Sequence, residues 1–319
     1  MGFGHLMRCL ALSQAFMERG YQSSFIVHGD DSIRSVLQFV KYEKIQWLNG
    51  IEDIKSQLQN TILVVDTFSI SVELLNALSN ISRIAILDDF IRRDHNDRMV
   101  IDWTINAENK FYTDKNSSSR YLLGHEYIAL RQPFWDCPEF TVKPLIEDVL
   151  ITFGSGDIRH LSPRISKFLQ KHYQLVRKKI IVGGASQSRK AAEALADSMT
   201  TIIVDANADE MLSNMKNADI AIASGGQTLY ELACVGVPTI SVMLIDNQLD
   251  DIEGWQEVGF TQHAGLWSDV NLDLNLLSCF RQLETIEARQ ERSVIGQKLV
   301  DGQGARRIVE NILAETYDY

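Results

Sequence analysis

Two short stretches of this chain combine residue types that can do chemistry. The first is Gly2-Phe3-Gly4-His5-Leu6-Met7-Arg8-Cys9, at the start of the sequence. Two glycines, a histidine and then an amphipathic pattern read as the turn between a strand and a helix. Such a turn leaves backbone N–H groups exposed at the helix start and sets His5 beside them, over the carboxyl edge of a sheet. The second is Ser224-Gly225-Gly226-Gln227-Thr228-Leu229-Tyr230-Glu231-Leu232-Ala233, directly after the apolar run Ile220–Ala223. Gly225 and Gly226 let the backbone approach a ligand with no Cβ in the way. The helix they open offers N–H donors and about half a positive charge, which suits phosphate. Glu231, one turn further on, can accept hydroxyls from a ribose. A plain tight turn capped by Ser224 or Thr228 is the competing reading.

Other signals are weaker alone. Asp246-Asn247-Gln248 lies just beyond the strand pattern ending at Met243, where side-chain amides can meet a polar ligand or merely cap a helix. Asp66-Thr67-Phe68-Ser69 and Asp88-Asp89 end apolar strands on the same predicted edge as His5. No third ligand is spaced to complete a magnesium or zinc site with them, so substrate positioning or helix capping is expected. Gly154-Ser155-Gly156-Asp157 also follows a strand, and either lines a site or turns the chain. His28, His125, His160, His172 and His263 have no companions in sequence and read as structural or surface residues. His95, in Arg92-Arg93-Asp94-His95, reads as loop.

The elements that must position these residues alternate along the chain. Strands are predicted at Ser24–His28, Ile62–Asp66, Ile84–Asp88 and Val100–Ile105. More follow at Val149–Phe153, Lys179–Val182, Ile202–Asp205, Ile220–Ala223 and Thr239–Met243. Helical patterns separate most of them, which predicts an α/β protein with parallel sheets covered on both faces. In the first helix Leu6, Cys9, Leu10, Ser13, Phe16 and Met17 form the expected apolar stripe, ended by Gly20. The rhythm weakens between Ile105 and Glu147, where 113–119 is a polar loop and Pro133, Pro138 and Pro144 follow. Two domains are therefore expected, 1–142 and 143–319. The last helical pattern, Ala305–Glu315, either stays with the second or crosses back to the first.

Composition narrows the partners. The 31 basic and 42 acidic residues leave a net charge of −11, which argues against nucleic acid and anionic membrane surfaces as general partners. No apolar run approaches the roughly 20 residues that span a bilayer. The start carries Arg8 and Glu18 in a helical pattern and does not resemble a signal peptide. Cys9, Cys137, Cys234 and Cys279 are far apart without zinc-ligand spacing, as expected of reduced thiols in a cytoplasmic enzyme.

Taken in order, these segments resemble the nucleotide-sugar hydrolases of pseudaminic acid biosynthesis and related spore-coat polysaccharide proteins. The resemblance rests on Gly2-Phe3-Gly4-His5 with Arg8-Cys9-Leu10-Ala11-Leu12, on Asp88-Asp89 and on Tyr127-Ile128-Ala129-Leu130-Arg131 with Phe134. It continues through Gly154–Asp157, Ser224–Glu231 and Asn247-Gln248 to Asp301-Gly302-Gln303-Gly304-Ala305-Arg306-Arg307-Ile308. More distantly, the second half is similar to the peptidoglycan glycosyltransferase that uses UDP-N-acetylglucosamine. The resemblance implies two Rossmann-like domains in the glycosyltransferase B (GT-B) arrangement, the second binding UDP. It implies metal-independent attack of water on a UDP-linked sugar such as UDP-2,4-diacetamido-2,4,6-trideoxy-beta-L-altropyranose, with inversion, no cofactor and His5 as general base. An imidazole pKa of about 6.5 suits that task, and a helix N-terminus favours its neutral form. The substrate-binding residues it implies are Gly4, Arg8, Phe68, Asp89, Arg131, Gly154, Ser224, Gly225, Gly226, Gln227, Thr228, Glu231, Asn247 and Gln248. Phe68 stands where some members have a tyrosine. A UDP-sugar-dependent glycosyltransferase of cell-surface or spore-coat polysaccharide synthesis, and an inactive nucleotide-sugar binding paralogue, are the alternatives.

The resemblance also implies a strand and a polar loop before the glycines. The first strand of the N-terminal domain is thus expected to be missing from the chain. Either Met1 is an internal methionine of a longer protein, or the chain is short and then unstable or inactive.

Overall fold

The β-branched runs become strands wherever a helical segment follows to cover them. In a computed structural model, residues 4–29, 33–90, 95, 98–110, 118–154, 156–184 and 186–314 are described. Gly2 and Phe3 of the first motif, Ser155, Arg92–Asp94 and 113–117 of the polar loop lie outside them. The chain folds as two compact units. One runs to Gln132 and resumes at Gln303; the other is Pro133–Gly302.

In the first unit, β1 (Ser24–Val27) pairs only with β2 (Lys41–Lys44). β3 (Ile62–Asp66), β4 (Arg83–Leu87), β5 (Met99–Asp102) and β6 (Arg120–Leu123) form a second parallel sheet in that order. Among the described residues, β1 and β3 therefore each keep one unpaired edge. Ile26 of β1 nevertheless packs on the cluster of Leu58, Val65, Leu75 and Ile86, so both sheets share a core.

The second unit is regular. β7 (Asp148–Thr152), β8 (Arg177–Val182), β9 (Thr200–Val204), β10 (Ile220–Ala223), β11 (Thr239–Met243) and β12 (Thr261–Leu266) form one parallel sheet, ordered β12-β11-β10-β7-β8-β9. This is the doubly wound Rossmann order, with its switch point between β7 and β10. Val149, Ile151, Ile220, Ile222 and Ile240 fill one face of it against Leu161, Ile165 and Phe168.

Several expectations shift. The division falls after Gln132, earlier than residue 142, because the backbone that follows is bound into the second unit. There Cys234 donates to the Phe134 carbonyl (3.2 Å), and Gln297 joins the Phe140 N–H (3.0 Å) and the Pro138 carbonyl (2.9 Å). The last helix, Gly304–Ala314, returns to the first unit, where Arg306 meets Glu18 at 2.8 Å. β2, β6 and β12 went unpredicted. β2 is the polar run Lys-Tyr-Glu-Lys at a sheet edge, β6 follows the polar loop, and β12 is an edge strand carrying Gln262, His263 and Gly265. In the helix Gly4–Glu18 the buried face is Arg8, Ala11, Leu12, Ala15 and Phe16, whereas Met17 is exposed. Ser13 and Phe16 of the expected stripe are buried, and Ala11, Leu12 and Ala15 complete the contact face.

Candidate functional site

In the first unit the chemistry gathers where β3, β4 and β5 end, against the first turns of the Gly4–Glu18 helix. His5 Nδ1 lies 2.6 Å from Asp66 Oδ1, and the Asp66 side chain is 2% exposed. Arg8, three residues on and so on the same helix face, forks across two carboxylates. Its Nε and Nη2 donate to Asp66 (Nε to Oδ2, 2.6 Å), and its Nη1 donates to Asp89 (2.9 and 3.2 Å). The Trp103 ring lies 5.2 Å from the guanidinium. Burial acts to raise the Asp66 pKa, but the Arg8 charge and the hydrogen bonds from Arg8 and His5 outweigh it and hold the carboxyl below its ordinary range. The His5 ring stands edge-on to Phe68 at 4.3 Å, and its Nε2 makes no hydrogen bond among the described residues.

The sequence places His5, Gly4, Arg8, Phe68 and Asp89 together, and the fold brings them together. Arg131 also belongs to this unit, half-buried after the buried run Ile128–Leu130. Asp88 is buried and paired with His95 Nε2 at 2.7 Å. His95 lies outside helix and strand, as expected, but its side chain is buried.

Asp102 is not singled out in the sequence, and Asp66 is marked there only as the start of Asp66-Thr67-Phe68-Ser69, not as the partner of His5. Their one visible signal is an aspartate as the last residue of an apolar strand. Asp102 is fully buried and accepts the N–H groups of Phe90 and Thr104, each at 2.9 Å. Burial, then the nearby Asp89 charge, push its pKa up to about 6 from an ordinary 3.8. A carboxyl whose folded pKa is raised favours the folded state most at pH below about 4, and that advantage is lost as pH rises through about 6. Asp102→Asn should therefore flatten the pH dependence of urea stability between those values. The wild type should lose up to ~3 kcal/mol relative to the variant as the pH rises. Parallel curves for the two proteins would contradict the assignment.

In the second unit, the loops after β7 and β10 flank the switch point, where doubly wound sheets place ligands. Gly226 is the N-cap of the helix Gln227–Val235, with φ +112° and no side-chain cap, which excludes capping by Ser224 or Thr228. The two glycines differ in role. A Cβ on Gly226 would meet nothing within 4 Å, whereas one on Gly225 would come within 2.9 Å of Gln248 and Ile252. Gly226 is thus the open position and Gly225 the close-packed one.

Gln248 uses both ends of its amide internally, donating to the Gly225 carbonyl (2.7 Å) and accepting from the Leu244 N–H (2.9 Å). It braces the glycine loop against the end of β11. Asn247 beside it is exposed, Ser224 and Glu231 are buried, and Gln227 and Thr228 are half-buried. Gly154 is exposed with φ +76°, and Asp157 turns inward to accept the N–H groups of Leu161 (2.9 Å) and Ser162 (3.0 Å). That half of the Gly154–Asp157 motif is a helix cap.

Among the described residues no three His, Cys, Asp or Glu side chains are arranged to hold a metal, and no helix is long and apolar enough to cross a membrane.

No family model matches the chain. It is 23% identical over 328 aligned positions to the spore coat polysaccharide biosynthesis protein SpsG of Bacillus subtilis, covering 99% of this chain and 95% of that one. It is also 23% identical over 314 positions to a Helicobacter pylori protein, the pseudaminic acid cytidylyltransferase and UDP-2,4-diacetamido-2,4,6-trideoxy-beta-L-altropyranose hydrolase. That alignment covers 96% of this chain but 53% of the relative, so the chain spans about half its length. Among solved structures, Acinetobacter baumannii MurG superposes with a TM-score of 0.69 at 19% identity, over 98% of this chain and 96% of MurG. In fold and in sequence, then, this is a GT-B-type α/β protein similar to the spore-coat polysaccharide and pseudaminic acid biosynthesis proteins.

Proposed function

We propose that the protein hydrolyses a UDP-linked amino sugar, of the class of UDP-2,4-diacetamido-2,4,6-trideoxy-beta-L-altropyranose, releasing UDP. The observation that carries this reading is His5, its Nδ1 side held by a buried carboxylate and its Nε2 side unengaged among the described residues. In the proposed reaction Nε2 takes a proton from water as the water oxygen bonds to the anomeric carbon. The bond from that carbon to the diphosphate oxygen breaks, and UDP leaves with the electron pair, inverting the centre. The N–H groups from Gly226 to Thr228 hold the departing diphosphate; loss of one such donor typically costs about 10²–10³ in rate. Glu231 takes the ribose, while Gly154, Ser224 and Asn247 serve the phosphate and sugar side.

The similarity to the Helicobacter hydrolase supports hydrolysis, and the MurG-like fold supports the second reading, transfer to an acceptor other than water. Incubation with the UDP-linked diacetamido sugar distinguishes them. UDP and free sugar in equal amounts without any acceptor would support hydrolysis. UDP release that requires an added acceptor would establish a transferase, and UDP binding without turnover would leave only a binding protein.

A further inference from the structure

We infer that Asp66 is the positioning residue of His5: it fixes the imidazole in the Nδ1–H tautomer and so keeps Nε2 as the proton acceptor. The inference rests on the hydrolase reading for its consequence in catalysis, but its geometry stands alone. Two groups compete for Nδ1. Asp66 Oδ1 is 2.6 Å away and Arg8 Nη2 is 3.3 Å away. If Nδ1 carried no proton, its lone pair would face a carboxylate oxygen at 2.6 Å, two acceptors in contact with nothing between them. With the proton on Nδ1, it donates a short charge-assisted bond, and the more distant Arg8 nitrogen is only a neighbour. The carboxylate has no freedom to turn away. Oδ1 accepts from His5 and Arg8 Nη2, while Oδ2 accepts from Arg8 Nε and the Cys9 thiol.

Charge completes the device. The groups around the imidazole are Arg8 and Cys9 from its own helix, Asp66 from the end of β3, and Asp89 from beyond β4, through Arg8. With neutral imidazole, Asp66, Arg8 and Asp89 sum to one negative charge. A proton taken from water brings the group to neutrality, with Arg8 anchoring Asp66 throughout. Asp102 meets Asp89 electrostatically from the end of β5.

Asparagine at position 66 cannot replace this arrangement. Whichever way its amide is turned, the NH₂ faces either His5 Nδ1 or Arg8 Nε, and both positions require an acceptor. Either orientation loses one arm of the Arg8 fork, and the one that turns the NH₂ toward Nδ1 also forces the Nε2–H tautomer. Long-range ¹⁵N–¹H correlation of the histidine side chains, assigned with His5→Gln, reads the tautomer directly in the wild type with no substrate present. Nδ1–H with an unprotonated Nε2 is expected; Nε2–H would overturn the inference. In Asp66→Asn the Nε2–H form should appear. The value of kcat should fall about 10²–10⁴-fold, the range known for aspartates that orient a catalytic histidine. UDP affinity should stay within a few-fold. Unchanged kcat would also overturn the inference. The tautomer arm needs no turnover, so a wild type that releases no UDP defeats the hydrolase reading while leaving the positioning role to be judged by the spectrum.

Discussion

His5→Ala is expected to lower the rate of UDP release by about 10²–10⁴-fold, the usual contribution of a positioned general base, while UDP still binds. The separation follows from where the side chain sits. His5 belongs to the first unit, whereas the helix start assigned to the diphosphate belongs to the second. Calorimetric titration with UDP should therefore give nearly the same affinity for both proteins. Truncation removes one contact of Phe68 and one of the donors to Asp66, yet Arg8 still neutralises that carboxylate. The fold should survive, with thermal stability changed little. Full turnover by the variant would remove His5 from the chemistry, and an equal loss of UDP affinity would make it a binding residue instead.

The largest stability effect is expected at Gly304, within Asp301-Gly302-Gln303-Gly304-Ala305. A Cβ there would lie 2.2 Å from the carbonyl oxygen of Ile128 and 2.7 Å from its nitrogen. Those are backbone atoms of a buried segment and cannot swing aside as a flexible side chain could. Gly304→Ala must push the Gly304–Ala314 helix away from the chain at Ile128, loosening the contact that buries Ile308, Val309 and Ile312. A loss of about 4 kcal/mol or more is expected, in the class of severe packing defects. Urea unfolding of the variant should show it. A loss under ~1 kcal/mol would mean the two segments can part at little cost. The same contact explains why the Tyr127–Arg131 and Asp301–Ile308 motifs occur together in the sequence: each is the other's packing surface.

Much of the fold is legible in the residues because strand and helix periodicity are local. Ile62–Asp66, Ile220–Ala223 and Thr239–Met243 are read to the residue, and the glycine loop falls where it is expected. Lys41–Lys44 escapes because a largely exposed edge strand needs no apolar alternation. The site residues divide in the same way. His5 and Arg8 are neighbours on one helix face and can be paired from spacing alone. Asp66 is 61 residues from His5, and only the parallel crossover that brings β3 beneath the helix makes them partners. Gly225 and Gly226 look alike in sequence, and what separates them is Ile252 and Gln248, which arrive from beyond the next strand. Gln248 reads as a ligand group for the same reason: its two internal partners are not visible until the chain has folded.

Among the described residues β1 and β3 each pair on one flank, and this carries a mechanical consequence. A strand bonded on both sides opens only when two neighbours let go, whereas each of these needs one to do so. Slow amide exchange should accordingly concentrate in β7 and β10, which have partners on both flanks, while β1 and β3 exchange through shallower openings. Asp66 ends one of those lightly tethered strands. The ion pairs that tie it to the opening helix are therefore a clasp on a strand paired on one flank as well as a setting for an imidazole.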